Sequence, residues 1–452
     1  MTIRQDNSHW RSRDLDVVWH PCTQMQDHET LPMIPIERGR GVWLHDFDGN
    51  KYIDAVSSWW VNLFGHANPS INAAISKQMD TLEHVMLAGF SHQAVIELSE
   101  RLVDITPPGL DRVFYGDNGS SAIEIALKMS FHYHANCGHP ERTRFINLSN
   151  SYHGETLGAL AVGDVALYKE TYGPLMMEPI TVDAPDAYGL PREQWAEAAQ
   201  NGLAKMRKAL EAHAQHTCAV IIEPLVQCAG SMRMYDPSYL TGLRQLCDEF
   251  GVHLIADEIA VGFGRTGTLF ACEQGNITPD FMCLSKGLTG GYLPLSAVLT
   301  SNTVYQAFYD RYETLKGFLH SHSYTGNALA CRAALATLDL FEQSDVLGNN
   351  QSLAETLGQA IAPLADHPQV GDVRQTGMIA AVEMVQDKRT HTPYPWQQRR
   401  GMTVFQHALT RGVLLRPLGN VIYFMPPYVI TEQQIQHVAK VAAEGIELAT
   451  RD

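Results

Sequence analysis

Between about residues 70 and 300 two apolar patterns alternate along the chain. Stretches such as INAAISKQMDTLEHV (71–85) and AIEIALKMSFHYHA (122–135) repeat their apolar residues at the helical period. Between such stretches lie short apolar runs: RVFYG (112–116), RFINLS (144–149), CAVIIEP (218–224), VHLIADE (252–258) and FMCLSK (281–286). Near-continuous apolar runs are the mark of strands buried on both faces, and their alternation with helices predicts an α/β fold with a mostly parallel sheet. Upstream, GVWLHDFDGNKYIDA (41–55) alternates apolar and polar residues around Asp-Gly-Asn, a hairpin signal. Residues 1–35 show little periodicity and read as an arm. Beyond about 340, helix, strand (GMIAAVEMV, 377–385), helix, strand (GVLLRPLGNVIYFMPP, 412–427) and helix predict a smaller α+β domain. The chain divides on this reading into an arm with part of the small domain (1–65), a large domain (66–340) and the rest of the small domain (341–452).

Composition narrows the function more than the fold. The chain has 452 residues, 45% of them hydrophobic, and a formal net charge of −16. That balance argues against binding nucleic acid or an anionic membrane, which needs basic patches. No run approaches the roughly 18–20 apolar residues of a membrane span, and the polar N-terminus is no signal peptide. The eight scattered cysteines form no C-x-x-C pair. In a chain this long they read as reduced thiols in a cytoplasmic protein.

Three short matches are weak. GFGRTG (262–267) fits G-x-G-x-x-G, but no amphipathic helix follows it to hold a pyrophosphate. HYHANCGH (132–139) gathers His132, His134, Cys137 and His139, yet the first two are i,i+2 and point to different sides of a helix. HSHSY, with His320 and His322, lacks a partner set for a metal. No metal site is expected.

Other signals reinforce one another. CLSKGLTGG (283–291) ends an apolar strand at Lys286 and enters a glycine-rich turn. Partial burial there lowers a lysine's pKa and frees its amine as a nucleophile. VHLIADE ends in Asp257 and Glu258, at the strand end where α/β sheets bind ligands. In YGDNGSSAIEIALKM (115–129), Asp117, Asn118, Gly119, Ser120 and Ser121 precede a periodic helix, whose free N–H groups suit a phosphate. NSYHGET (150–156) adds Tyr152 and His153, an aromatic side chain able to stack on a ring. Lysine, carboxylate, anion site and aromatic together fit pyridoxal 5′-phosphate, which needs a Schiff-base amine, a partner for its pyridine nitrogen and a phosphate cup.

The chain from about 15 to 450 resembles the pyridoxal-phosphate aminotransferases of the group that includes ornithine and ω-amino-acid transaminases. YGDNGSSAIEIALK, NSYHGETLGAL, IIEPLVQ, LIADEIAVGFGRTG, LSKGLTGGYLPLSAVL and HSYTGN carry the likeness. VWHPCTQM, AVSSWWVNLFGHANP, EHVMLAGFSH, SMRMYDP and RPLGNVIYFMPPY are similar to a narrower branch. Members of that branch aminate 8-amino-7-oxononanoate in biotin synthesis, with S-adenosylmethionine as donor in most and lysine in some. The resemblance implies a type I fold with a seven-stranded, mostly parallel sheet, a small domain from both chain ends, and a homodimer with shared active sites. It implies Lys286 as the Schiff-base lysine, Asp257 as the partner of the pyridine nitrogen, Gly119 and Ser120 as the phosphate cup, and Tyr152 stacked on the ring. Ser321, His322 and Ser323 would reach the phosphate of the neighbouring subunit. Trp59 and Trp60 would wall the substrate pocket, and Arg416 would grip the keto acid's carboxylate. Two positions depart from the better-known members: Cys22 stands where they have tyrosine, and Ser321-His322-Ser323 where Gly-Pro-Thr is common. At Cys22 a hydroxyl contact is lost, leaving a gap for water or a neighbouring side chain. Rival readings are another ω-transaminase, an aminomutase that turns over without a second amino acid, and a non-catalytic regulator. The last would need a DNA-binding domain, for which the chain has no spare length or basic patch.

Overall fold

The structure is a computed structural model that describes residues 6–31 and 33–451. Its centre is a seven-stranded sheet. From one edge to the other run Arg112–Gly116, Ser296–Thr300, Phe281–Leu284, His253–Asp257, Thr217–Ile222, Arg144–Leu148 and Ile180–Val182. Only Ser296–Thr300 is antiparallel to its neighbours; the other six strands point the same way. This is the mostly parallel α/β sheet that the alternating pattern predicts.

Strand period decides which side chains meet which helices. Ile221, Ile255, Phe281 and Cys283 pack on one face with Ile123, Ala126 and Leu127 of helix Gly119–Asn136. Their neighbours Val220, Ile222, Leu254 and Ala256 pack on the other with Leu203 and Met206 of Trp195–His213 and Leu243 of Ser238–Phe250. Covering both faces is why these strands read as unbroken apolar runs.

Two smaller sheets flank the centre. The predicted hairpin, Trp43–Asp46 with Lys51–Asp54, pairs on one side with Ile36–Arg40 and on the other with Val413–Leu414 from the far end of the chain. Val370–Thr376, Ile379–Asp387 and Val421–Phe424 form an antiparallel sheet with the short strand Thr392–Pro393. Residues 412–427 are therefore not one strand. Pro417 and Gly419 break the run, and its two halves join different sheets with Arg416 in the turn between. The arm also holds more structure than its composition predicts: Asn7–Val17 is helical, its start capped by the Asp6 side chain accepting from the His9 N–H.

Candidate active site

The parallel direction of the six strands brings their C-terminal ends to one edge of the sheet, the usual ligand edge of such folds. Arg112–Gly116 leads into Asp117–Ser120, Arg144–Leu148 into Tyr152 and His153, Thr217–Ile222 into Glu223 and Phe281–Leu284 into Lys286; Asp257 is itself the last residue of its strand. A pocket of about 240 Å³ lies there, lined by Trp60, Gly119, Ser120, Tyr152, His153, Glu223, Asp257 and Lys286 among others.

Lys286 is partly buried at the start of a short 3-10 turn, with φ +42°, a conformation that side-chain-bearing residues seldom adopt outside functional sites. Its amine makes no hydrogen bond or ion pair among the described residues. It lies 4.8 Å from the centroid of the Trp60 ring. Burial pushes its ammonium below the ordinary value, while Asp257 opposes the shift. The glycines after it have a packing reason: a Cβ on Gly291, where φ is +87°, would sit 3.0 Å from the backbone of Val61. The turn following Lys286 can thus press against the segment that carries the tryptophans.

The two acids at 257 and 258 part company where the strand ends. Glu258 turns into the protein, where the N–H groups of Ala271 and Cys272 donate to its carboxylate at 3.0 and 2.7 Å. Burial pushes it up to about 7. Asp257 faces the pocket and is 5% exposed. One oxygen accepts from the Ile259 N–H (3.1 Å), and the other lies 2.8 Å from Nδ1 of the buried His153. His153 Nε2 is buried without a partner among the described residues. Sequence reasoning noted His153 without giving it this part, and Glu223 it did not single out. Glu223 holds the pocket wall: its two oxygens accept the N–H groups of Tyr152 and Cys228, each at 3.0 Å. Burial, then the charge of Asp257, pushes its carboxyl well above the usual range.

At the start of helix Gly119–Asn136, Asn118 caps the Ser121 N–H (3.0 Å), and the Gly119 and Ser120 N–H groups have no partner among the described residues. Gly154 brings the Tyr152–His153 loop against this helix start. Its φ is +123°, and a Cβ there would lie 2.1 Å from Ser120 Oγ. A free amine, an oriented carboxylate and open N–H groups in one pocket match the donor set of pyridoxal 5′-phosphate.

The remaining candidates lie around this centre. Trp59 and Trp60 occupy a tight turn; Trp60 is buried and Trp59 is 46% exposed beside Arg416, whose guanidinium carbon is 5.5 Å from its ring centroid. Arg416 and Cys22 line a second cavity of about 1170 Å³ between the arm and the 399–417 segment. Cys22 links the two spaces. Its Sγ is 3.8 Å from Glu155 and 3.5 Å from the Tyr168 hydroxyl, and the hydroxyls of Tyr152 and Tyr168 both donate to Glu155 (3.0 and 3.2 Å). Tyr168, from helix Ala166–Tyr172, thus supplies a hydroxyl beside the cysteine. Ser321, His322 and Ser323 do not line the pocket of their own chain. They sit on an outer loop where His322 lies 3.0 Å from Asp117 and the Ser323 carbonyl 2.7 Å from His84.

The three weak motifs resolve differently. His134 is buried against the Cys218 carbonyl and His132 packs edge-on to Phe308, so the pair diverges. Among the described residues no group of three His, Cys, Asp or Glu is placed to hold a metal ion, and no helix is long and apolar enough to cross a membrane. GFGRTG is a turn followed by the 3-10 segment Ala271–Gly275.

Residues 24–444 match the model of the family described as Aminotransferase class-III. The chain is 50% identical over 429 residues to the adenosylmethionine-8-amino-7-oxononanoate aminotransferase of Helicobacter pylori, covering 94% of each chain. It is 43% identical to the protein of that name from Geobacter sulfurreducens, covering 98% and 99%. Among solved structures it is similar to the adenosylmethionine-8-amino-7-oxononanoate aminotransferase of Methanocaldococcus jannaschii, with a TM-score of 0.93, 39% identity and coverage of 99% and 100%. It is also similar to the omega transaminase of Pseudomonas jessenii in complex with PMP, with a TM-score of 0.92, 28% identity and coverage of 97% and 98%.

Proposed function

Because the chain belongs to the class-III aminotransferase family, we propose that it moves the amine of S-adenosylmethionine to 8-amino-7-oxononanoate, giving 7,8-diaminononanoate for biotin synthesis. The likeness to relatives of that name over nearly the whole chain carries the choice of substrates. Pyridoxal 5′-phosphate is the cofactor this reading requires; when bound it supplies an electron sink for the carbanion formed at the donor's Cα.

The chain's own residues divide the remaining work. Lys286 would hold the cofactor through its amine and would carry the proton from the donor's Cα; burial favours its uncharged, basic form. Asp257 keeps the pyridine nitrogen protonated, and His153 fixes which way that carboxylate points. The N–H groups of Gly119 and Ser120 take the phosphate. Tyr152, which lines the same pocket, would cover the ring. Trp59 and Trp60 exclude water from an aliphatic keto acid whose distant carboxylate pairs with Arg416, a task suited to a planar guanidinium.

The protein on this reading is a homodimer, with Ser321, His322 and Ser323 serving the partner's site and Ser323 bonding the phosphate. The loop that carries them supports this: Tyr312, Leu315 and Leu319 are 87%, 71% and 80% exposed, an apolar surface that a second copy would cover. A cytoplasmic location fits the reduced cysteines.

The test is a single turnover followed by absorbance, with S-adenosylmethionine and lysine supplied separately, then 8-amino-7-oxononanoate. Conversion of the loaded enzyme by S-adenosylmethionine, and its return by the keto acid, is expected. Conversion by lysine alone would move the enzyme to the lysine-using branch; no return with 8-amino-7-oxononanoate would sink the reading.

A further inference from the structure

Four consecutive residues without a glycine among them, Ser57 to Trp60, adopt left-handed backbone angles. Their φ values are +51°, +45°, +72° and +74°. They form one left-handed helical turn, closed by the Trp60 N–H donating to Val56 O (2.9 Å) and the Val61 N–H to Ser57 O (3.0 Å). Each such residue is strained, because its Cβ crowds the following carbonyl. The surroundings must therefore hold the turn in place.

One buried carboxylate grips it. Asp54, 0% exposed at the end of strand Lys51–Asp54, accepts the Ser58 N–H at 2.9 Å through one oxygen and the Ser58 hydroxyl at 2.7 Å through the other. The second oxygen also lies 2.9 Å from His66 Nε2, while His66 Nδ1 is 3.1 Å from Asn62 Nδ2. With the Asn62 amide donating to Nδ1, His66 donates from Nε2 and orients the carboxylate. Ser58 gains two bonds in the one conformation that its backbone least prefers.

The turn has a readable output. Trp60 packs beneath the Lys286 amine and Trp59 beneath Arg416. The Asp54 backbone is in register with Leu414, two residues before Arg416. Asp54 thus ties together the two ends of the substrate space, the Lys286 amine that would move the proton and the guanidinium where the remote carboxylate docks. We propose that Asp54 is a positioning residue that, through the left-handed turn Ser57–Trp60, sets the distance at which the enzyme accepts a keto acid's carboxylate. The inference rests on the function proposed above for the identity of that acid. It makes Asp54 a determinant of chain-length selectivity without any contact with substrate.

The test compares wild type with Asp54→Asn, Ser58→Gly and the double variant. Asn keeps the shape but turns one acceptor into a donor facing Ser58 or His66. The kcat/KM for 8-amino-7-oxononanoate should fall by about tenfold or more, chiefly through KM, and the donor half-reaction by no more than about threefold. Preference over keto acids one methylene shorter or longer should shrink. Glycine takes left-handed angles without a Cβ clash, so Ser58→Gly in the Asp54→Asn background should restore much of the lost kcat/KM. Near-ultraviolet circular dichroism without substrate should show the tryptophan bands altered in Asp54→Asn and recovered in the double variant. If Asp54→Asn does not fold, Ser58→Ala, which removes only the hydroxyl bond, is read in the same way. Unchanged tryptophan bands, equal damage to both half-reactions, or failure of the glycine to rescue would each overturn the proposal. A wild-type enzyme inactive on 8-amino-7-oxononanoate would instead overturn the substrate assignment, leaving Asp54 to be judged on the tryptophan bands.

Discussion

At the scale of single residues, the pocket separates groups that act from groups that aim them. Asp257→Asn should still load the cofactor, because Lys286 and the helix start are untouched. A neutral amide cannot stabilise a protonated ring nitrogen, so the donor half-reaction followed by absorbance should slow by roughly a hundredfold or more. A near-normal rate would remove the electron-sink role from Asp257. Arg416→Ala leaves the keto acid's carboxylate without its charge-assisted partner, so kcat/KM for that substrate should fall by roughly two orders of magnitude and the donor half-reaction by much less. Equal loss in both would mean that Arg416 serves the fold or both substrates. Lys286 and Asp257 were legible because a charged residue ending an apolar strand is conspicuous. Glu223 follows an equally apolar strand, but its chemistry is visible only in the two N–H groups that fix it. The partnership of His153 with Asp257, 104 residues apart in sequence, has no local signature.

At the scale of elements, legibility followed periodicity. Helix Gly119–Asn136 has a repeating apolar face and was readable; the few apolar residues of Asn7–Val17 form no stripe, so only its cap could have betrayed it. Residues 412–427 looked like one strand because both halves are apolar, although Pro417 and Gly419 mark the break. The left-handed turn was hidden because SSWW contains no glycine to announce positive φ. One contact between elements yields a pH dependence. The rings of His134 on the helix and His253 on the strand beneath it lie 4.6 Å apart between centroids, and burial holds each down to about 4. The unfolded chain, with histidines near their ordinary value of about 6.5, binds more protons than the folded one between those limits. Their contribution to stability is present in full above about pH 6.5 and falls as the pH drops towards 4. Glu258, raised to about 7, works in the opposite sense over part of that window. The informative quantity is therefore a difference of slopes: Tm should fall less between pH 7 and 5 in His253→Gln than in wild type. Parallel slopes would mean that His253 is charged in the folded protein.

At the scale of the whole molecule, six strands sharing one direction could be anticipated from the alternating pattern, whereas the reversal of Ser296–Thr300 could not, since a doubly buried strand reads the same either way. A shared active site predicts complementation. Lys286→Ala lacks the amine, and a variant with Ser321, His322 and Ser323 all replaced by alanine lacks the loop. Dissociated and reassociated together, they should regain activity, because a mixed dimer contains one intact site. Mixed dimers that form without activity would show that each loop serves its own chain.

The pairing of Ile53 with Val413 also sets a timetable for synthesis. Chains emerge at roughly 5–20 residues per second, so the hairpin's partner strand appears tens of seconds after the hairpin. Asp54 and the two tryptophans lie on the early side of that interval. Ala55 and Ser57 take their backbone partners from Leu414 and Met425. The candidate cofactor edge is packed by helix Ala328–Gln343, which emerges soon after it, while the substrate wall waits for the last part of the chain. A ribosome-bound chain halted before Val413 should therefore leave its tryptophans open to chaperones, and the final seconds of translation are when selectivity is installed.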